Sequence, residues 1–160
     1  IQYGEEAFFK KCKEVGVDGF ILPDLPAAIY EADYQELMKE NNLNNIFLIT
    51  PQTPDERIVY LDSLSSGFVY MVADASVTGK QKDISNSQIA YFERIEKMNL
   101  TNPRLIGFGI SDHQSFSAAC AHASGAIIGS AFIRALEKSE NIEETIYNFI
   151  GMIKNEKVGV

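Results

Sequence analysis

The chain has 160 residues, of which 46% are hydrophobic and 22% charged, and its formal net charge is −8. These values are typical of a single globular domain spanning residues 1–160, and the acidic balance argues against nucleic acid or an anionic membrane as a partner. No apolar stretch approaches the ~20 residues of a membrane span, and the first residues show no targeting pattern, so we expect a cytoplasmic protein.

Short continuous apolar runs alternate along the chain with segments of helical periodicity. The expected elements, in chain order, are a helix over 5–15, a strand over 19–22, a helix over 31–41, a strand over 46–49, a helix opened by Asp55 as N-cap, a strand over 67–72, a polar loop over 73–86, a helix over 87–98, a strand over 105–108, a helix over 112–121, a strand over 126–128, a helix over 131–137 and a last helix opened by Asn141.

Continuous apolar strands indicate burial on both faces, as in a parallel sheet covered by helices. The fold class is therefore α/β, and a repeat of about 30 residues matches one unit of a (β/α)₈ TIM barrel of ~250 residues. A doubly wound open sheet is the rival, but no G-x-G-x-x-G opens a helix. Five units are present, so we expect either the last five β/α units of a barrel whose first three are absent, or an open five-stranded sheet.

Two of the strands end in glycine turns that suit an anion. Gly109 and Gly129 follow apolar runs, and each is expected to lead at once into a helix, with Ser130 at a helix start. Backbone N–H groups at such a turn approach a ligand closely, and the positive end of the helix dipole favours negative charge. The pair predicts a phosphate site, whereas either glycine alone is explained as well by a tight turn.

Four stretches together resemble the tryptophan synthase alpha chain family. They are Gly67-Phe-Val-Tyr-Met-Val, Ser76-Val-Thr-Gly79, Gly107-Phe-Gly-Ile-Ser111 and Gly129-Ser-Ala131, and Val17-Asp-Gly-Phe-Ile-Leu-Pro-Asp-Leu-Pro26 resembles the strand-four segment of that family. The resemblance runs in order from residue 1 to about residue 138. It implies a (β/α)₈ barrel that cleaves indole-3-glycerol phosphate to indole and glyceraldehyde 3-phosphate, a lyase of tryptophan biosynthesis.

The resemblance also implies roles for individual residues. The substrate phosphate would be held by backbone N–H groups and one hydroxyl at Gly79, Gly109, Gly129 and Ser130. The indole would be flanked by Tyr70, Phe108, Ile21 and Leu48, which would otherwise be ordinary core residues. Thr78 would support a loop that closes over the site, and Asp24 and Pro26 would lie near a partner surface.

The catalytic groups implied by the resemblance are missing from this chain. The family's acid–base Glu follows strand two and its Asp follows strand three, and both positions lie upstream of residue 1. We therefore expect no catalytic residue here and no activity from these residues alone. The resemblance implies no cofactor in this chain, with pyridoxal phosphate held by the beta chain of an α₂β₂ complex, and no metal.

Two other functions remain open from the residues. One is a different phosphate-binding barrel, such as an isomerase of the same pathway, which would need its own Lys or Asp at a strand end; Asp24 is the acid available there. The other is a non-catalytic phosphate-binding module that regulates a partner chain. The two cysteines, Cys12 and Cys120, lack a CxxC partner or a nearby histidine, which predicts buried reduced thiols.

Overall fold

The computed structural model describes residues 3–73, 85–107 and 109–156, which form alternating strands and helices. In chain order these are α1 (Glu5–Glu14), β1 (Gly19–Ile21), α2 (Ala27–Ile29), a π-helical turn (Tyr30–Tyr34), α3 (Gln35–Glu40), β2 (Asn44–Ile46), β3 (Leu48–Ile49), α4 (Asp55–Leu64), β4 (Val69–Val72), α5 (Asn86–Glu96), β5 (Arg104–Gly107), α6 (His113–Cys120), β6 (Gly125–Ile127), α7 (Ser130–Glu137) and α8 (Ile142–Lys154).

The strands form two ladders, ordered β1-β2 and β3-β4-β5-β6. β1 pairs with β2 in parallel, and β5 pairs with β6 in parallel. Neighbouring strands in each ladder are also consecutive in the sequence, and helices occupy the connections between most of them. This is the β-α-β arrangement expected of an α/β protein with a parallel sheet.

The chain divides into two compact units. The first comprises Ile1–Tyr70 with Leu100–Pro103, and the second comprises Met71–Asn99 with Arg104–Val160. In the first unit the fully buried side chains include Met38, Ile49, Ile58 and Val69. The core of the second is built from Met71, Phe92, Ile95, Ile106 and Ala119.

Most element boundaries differ from the sequence-based expectation by one to three residues, and three differences concern particular residues. The N-cap of α4 is Pro54 and not Asp55, which becomes the first helical residue. The predicted 46–49 strand is interrupted at Phe47, whose N–H donates to the Ser65 hydroxyl at 3.3 Å. The helix expected to start at residue 31 begins at Ala27, because Pro26 at its N-cap presets the backbone.

Candidate functional site

Gly109 and Gly129 lie just beyond the ends of two neighbouring strands of the second unit. Gly107 of β5 is paired with Ile127 of β6. Gly109 lies two residues after Gly107, and Gly129 lies two residues after Ile127. Adjacent strands lie about 4.8 Å apart, and parallel strands end at the same edge of a sheet. The register therefore brings the two predicted phosphate turns to one edge.

Among the described helices of the second unit, α7 is the one whose N-terminus has no side-chain cap. Side chains of Ser85, Asp112 and Asn141 accept a hydrogen bond from the first turn of α5, α6 and α8. α7 begins at Ser130 after Gly129 and has no such side-chain cap. The N–H groups of its first turn, which have no partner within the helix, are left for water or an anion.

The backbone conformation favours glycine at position 109 but not at position 129. Gly109 has φ +77°, a left-handed conformation that favours glycine whether or not a ligand binds. Gly129 has φ −107°, and a Cβ added there would meet no heavy atom within 4 Å. Neither a left-handed backbone conformation nor close packing therefore requires glycine at position 129. The absence of a side chain there leaves the N-terminus of α7 uncovered on that side.

One detail of the phosphate prediction is wrong. The turn at Gly109 does not lead at once into a helix, because Ile110 and Ser111 intervene and Asp112 caps α6. The Asp112 carboxylate accepts from the Ser115 N–H at 2.9 Å, so the first turn of α6 already has an acidic cap. Of the two turns, the one at Gly129 and Ser130 carries the helix N-terminus that is open to an anion.

Three of the residues expected to flank the indole lie in the first unit. In β4, Val69 is fully buried while Tyr70 is half-buried, and in β3 Ile49 is fully buried while Leu48 is half-buried. Because side chains alternate along a strand, Tyr70 and Leu48 share the less covered face of the two adjacent strands. The Tyr70 N–H donates to the Phe47 carbonyl at 3.0 Å, which fixes this neighbourhood.

Ile21 ends β1, where it is paired with Ile46 of β2 and is 41% exposed. The first unit thus covers the Ile21 side chain only in part, and a single exposed apolar side chain is ordinary at a protein surface. Burial raises the pKa of the Tyr70 phenol, so this side chain is a neutral hydrogen-bonding and stacking group at neutral pH.

Asp24 and Pro26 lie in the loop after β1 and line an open cleft of about 290 Å³ in the first unit. Arg57, in the first turn of α4, lines the same cleft, and the sequence argument missed it. Arg57 stands three positions after Pro54, the N-cap of α4. Nothing in the sequence relates it to a loop more than 30 residues earlier.

Three predicted site residues, Thr78, Gly79 and Phe108, lie outside the described residues. Within the described ranges, no cluster of three or more His, Cys, Asp or Glu side chains could hold a metal ion. Both cysteines are free thiols; Cys12 is buried as expected, but the expectation is wrong for Cys120, which is exposed on the last turn of α6. None of the described helices combines the length and apolar character needed to cross a membrane.

The sequence is similar to proteins described as tryptophan synthase alpha chains. The family model with that description matches residues 1–158. The alpha chain of Flavobacterium johnsoniae is 53% identical over 154 residues, which cover 96% of this chain and 60% of the relative. The alpha chain of Christiangramia forsetii is 50% identical over 96% of this chain and 59% of its own length.

Solved structures give the same result. The tryptophan synthase alpha subunit of Pyrococcus furiosus matches with a TM-score of 0.81 and 28% identity, over 96% of this chain and 62% of that one. A chain from the Pyrococcus furiosus tryptophan synthase complex matches with a TM-score of 0.81 and 27% identity, over 96% and 61%. The chain thus spans about three-fifths of the length of the relatives it matches.

Proposed function

The chain belongs to the tryptophan synthase alpha chain family, and from this premise we propose that the protein cleaves indole-3-glycerol phosphate to indole and glyceraldehyde 3-phosphate. The predicted (β/α)₈ fold class is confirmed, since the solved relatives are barrels of this type and align with the α/β chain along almost its whole length. The doubly wound open sheet is thereby excluded.

The observation that carries the proposed role of these residues is the uncapped start of α7. A phosphate there would accept hydrogen bonds from the first-turn N–H groups and from the Ser130 hydroxyl, with the helix dipole favouring its charge. Gly109 would add a second turn at the same sheet edge. In this proposal Gly79 completes the phosphate cradle and Thr78 supports the loop that closes over it, as in the family.

The indole end of the substrate would meet the less covered faces of the first-unit strands. Leu48, Tyr70 and Ile21 offer apolar surface that the first unit leaves partly exposed, and Phe108 would complete the wall. Burying an indole against such surface is favourable by roughly 25 cal/mol per Å² of apolar area.

The reaction breaks the bond between indole C3 and the adjacent glycerol carbon. One carboxyl group must move protons at the glycerol hydroxyl and at indole C3, and a second must stabilise charge at the indole N–H. We propose that both come from the part of the family that has no counterpart in this chain. These residues then supply binding and orientation, the pyridoxal phosphate belongs to the beta chain, and the working assembly is α₂β₂.

A chimera tests this proposal. The segment of the Flavobacterium johnsoniae alpha chain that precedes the matched region would be fused to the 160 residues, restoring a chain of the relatives' length. We expect the chimera to release indole from indole-3-glycerol phosphate and the 160 residues alone to release none. A folded chimera that binds glycerol phosphate but releases no indole would instead favour the regulatory phosphate-binding module.

A further inference from the structure

The turn directly after β3 is closed by three hydrogen bonds between Thr50 and Thr53. The Thr53 N–H donates to the Thr50 carbonyl at 3.0 Å, which is the hydrogen bond of an ordinary β-turn. The Thr50 N–H donates in return to Thr53 Oγ1 at 2.9 Å, and one of the two hydroxyls donates to the other at 3.1 Å. Two of the three hydrogen bonds therefore depend on the Thr53 hydroxyl.

Two prolines restrict the same turn. Pro51 stands at its second position, where the fixed φ of proline suits a turn. Pro54 follows Thr53 as the N-cap of α4, and a proline disfavours the helical conformation at the residue before it. The Pro54 carbonyl accepts from the N–H of the fully buried Ile58 at 2.9 Å, which fixes the far end of the turn to α4. Loops are usually the more mobile segments of a domain, and these features restrict that mobility here.

The turn holds one end of the short strand that carries Leu48. Phe47, the residue before it, is buried, and its N–H donates to the Ser65 hydroxyl at 3.3 Å. The Phe47 carbonyl accepts from the Tyr70 N–H at 3.0 Å. Because Ile49 is fully buried and Leu48 is half-buried, the two side chains lie on opposite faces of β3. The Leu48 side chain thus projects from a backbone segment that is held on both sides.

We propose that Thr53 is a positioning residue for the indole of the substrate: its hydroxyl holds the carboxyl end of β3, which keeps Leu48 in a fixed place against the ring. The proposal rests on the proposed function, in which Leu48 flanks the indole, and Thr53 acts through Leu48. Apolar surface that is already ordered binds a ligand at a lower entropic cost than surface that must be ordered on binding. The turn at Gly129 and Ser130 belongs to the second unit and shares none of these hydrogen bonds, so the effect should be confined to the indole end.

Thr53→Val keeps the branched shape of the side chain and removes the hydroxyl. In the chimera described above, we expect it to raise the dissociation constant for indole about three- to tenfold by titration calorimetry, while that for glycerol 3-phosphate stays within about twofold of the parent. Thr53→Ser keeps a hydroxyl and should bind indole as the parent does. Ser63→Ala is the matched control, because the Ser63 hydroxyl donates to the Tyr60 carbonyl at 2.7 Å at an exposed position of the same unit.

Thr50→Val removes only the hydrogen bond between the two hydroxyls and should weaken indole binding about twofold, so the test does not depend on the folding of Thr53→Val. Equal indole affinity in the parent and both valine variants would overturn the proposal and leave the proposed function intact. An equal loss of indole and glycerol 3-phosphate affinity would also overturn it, because a merely structural role affects both ends.

A parent chimera that binds no indole would overturn the proposal together with the proposed indole pocket. A parent that binds indole but releases none from indole-3-glycerol phosphate would count against the proposed activity alone, and the indole titrations would still decide the role of Thr53.

Discussion

The hydroxyl of Tyr91 is buried without a hydrogen-bond partner among the described residues. The side chain belongs to α5 and is 4% exposed, and its ring packs beside Phe92 with 5.7 Å between the centroids. Burial raises the pKa of the phenol well above its usual value, and the nearby Arg94 only partly offsets this. The native state therefore holds Tyr91 in its neutral form.

Tyr91→Phe is expected to leave stability at neutral pH unchanged or to raise it by about 1 kcal/mol, because it removes an unpaired buried hydroxyl. The pKa of Tyr91 is higher in the native state than the value of 10 in the unfolded chain. The free energy of unfolding therefore falls as the pH rises from 10 towards the native pKa, because the unfolded chain ionises first. Urea unfolding of the chimera between about pH 9 and about pH 11 should thus show a smaller loss in the variant.

Tyr147→Phe is the matched control for this prediction, since Tyr147 is 59% exposed on α8. It should change neither the neutral-pH midpoint nor the alkaline slope. If Tyr91→Phe lowered stability at neutral pH by more than about 1 kcal/mol, the hydroxyl would have to make a hydrogen bond that the structure does not contain.

Individual residues also show what the sequence could and could not predict about the site. The turn at Gly129 and the helix start at Ser130 were predictable, because a glycine between an apolar strand and a helix is a local pattern, whereas anion binding there stays a prediction. The reason for that glycine was not, since the absence of neighbours around an added Cβ is a property of the packed chain. Arg57 was missed for the same reason, as its cleft joins segments that are distant in sequence.

At the scale of elements, one buried carboxylate ties a helix to a loop. Asp62 lies in the last turn of α4 and is 4% exposed. Its Oδ2 accepts from the Thr101 N–H at 2.7 Å, and its Oδ1 accepts from the backbone and side-chain N–H groups of Asn102, both at 3.0 Å. The Pro103 carbonyl then accepts from the Val69 N–H at 2.8 Å, so the loop is also fixed to β4.

Asp62→Ala should destabilise the chimera by about 2–3 kcal/mol, because it leaves the loop N–H groups without their charged acceptor. The free energy of unfolding in urea measures this cost. Asp33→Ala, at an exposed position in the first unit, should stay within about 0.5 kcal/mol of the parent. Equal stability of the two variants would mean that the Asp62 contacts contribute nothing net.

Helices and strands were predicted well where a local sequence pattern determines them. They were predicted poorly where contacts between residues distant in sequence determine the backbone conformation. The alternation of strands and helices followed from hydrophobic periodicity, and the Asn141 cap of α8 is confirmed by its bond from the Glu144 N–H at 3.3 Å. The π-helical turn was not predicted; its first residue, Tyr30, is buried with its ring edge to face against Phe47, a contact between segments that are distant in sequence. The break between β2 and β3 depends on the Ser65 hydroxyl, which is 18 residues from Phe47.

At the scale of the whole molecule, the repeat of strand and helix gave the fold class, and the combination of motifs gave the family. Neither periodicity nor motif spacing supplies the acid–base chemistry of the reaction, which needs two carboxyl groups that the resemblance locates outside these residues. In the proposal, the turn at Gly129 and Ser130 in the second unit binds phosphate, and the first unit offers apolar surface to the indole. The less covered faces of β3 and β4 are consistent with that role, since they leave apolar side chains accessible.

The central claim is that the open start of α7 binds the phosphate of the substrate, and calorimetric titration of the chimera with glycerol 3-phosphate tests it most directly. Gly129→Asp should weaken binding at least about tenfold, because it sets a carboxylate where the phosphate would accept from the N–H groups. Asn141→Asp, which puts the same charge at the N-cap of α8, should bind as the parent does. Unchanged affinity in a folded Gly129→Asp protein would contradict the claim.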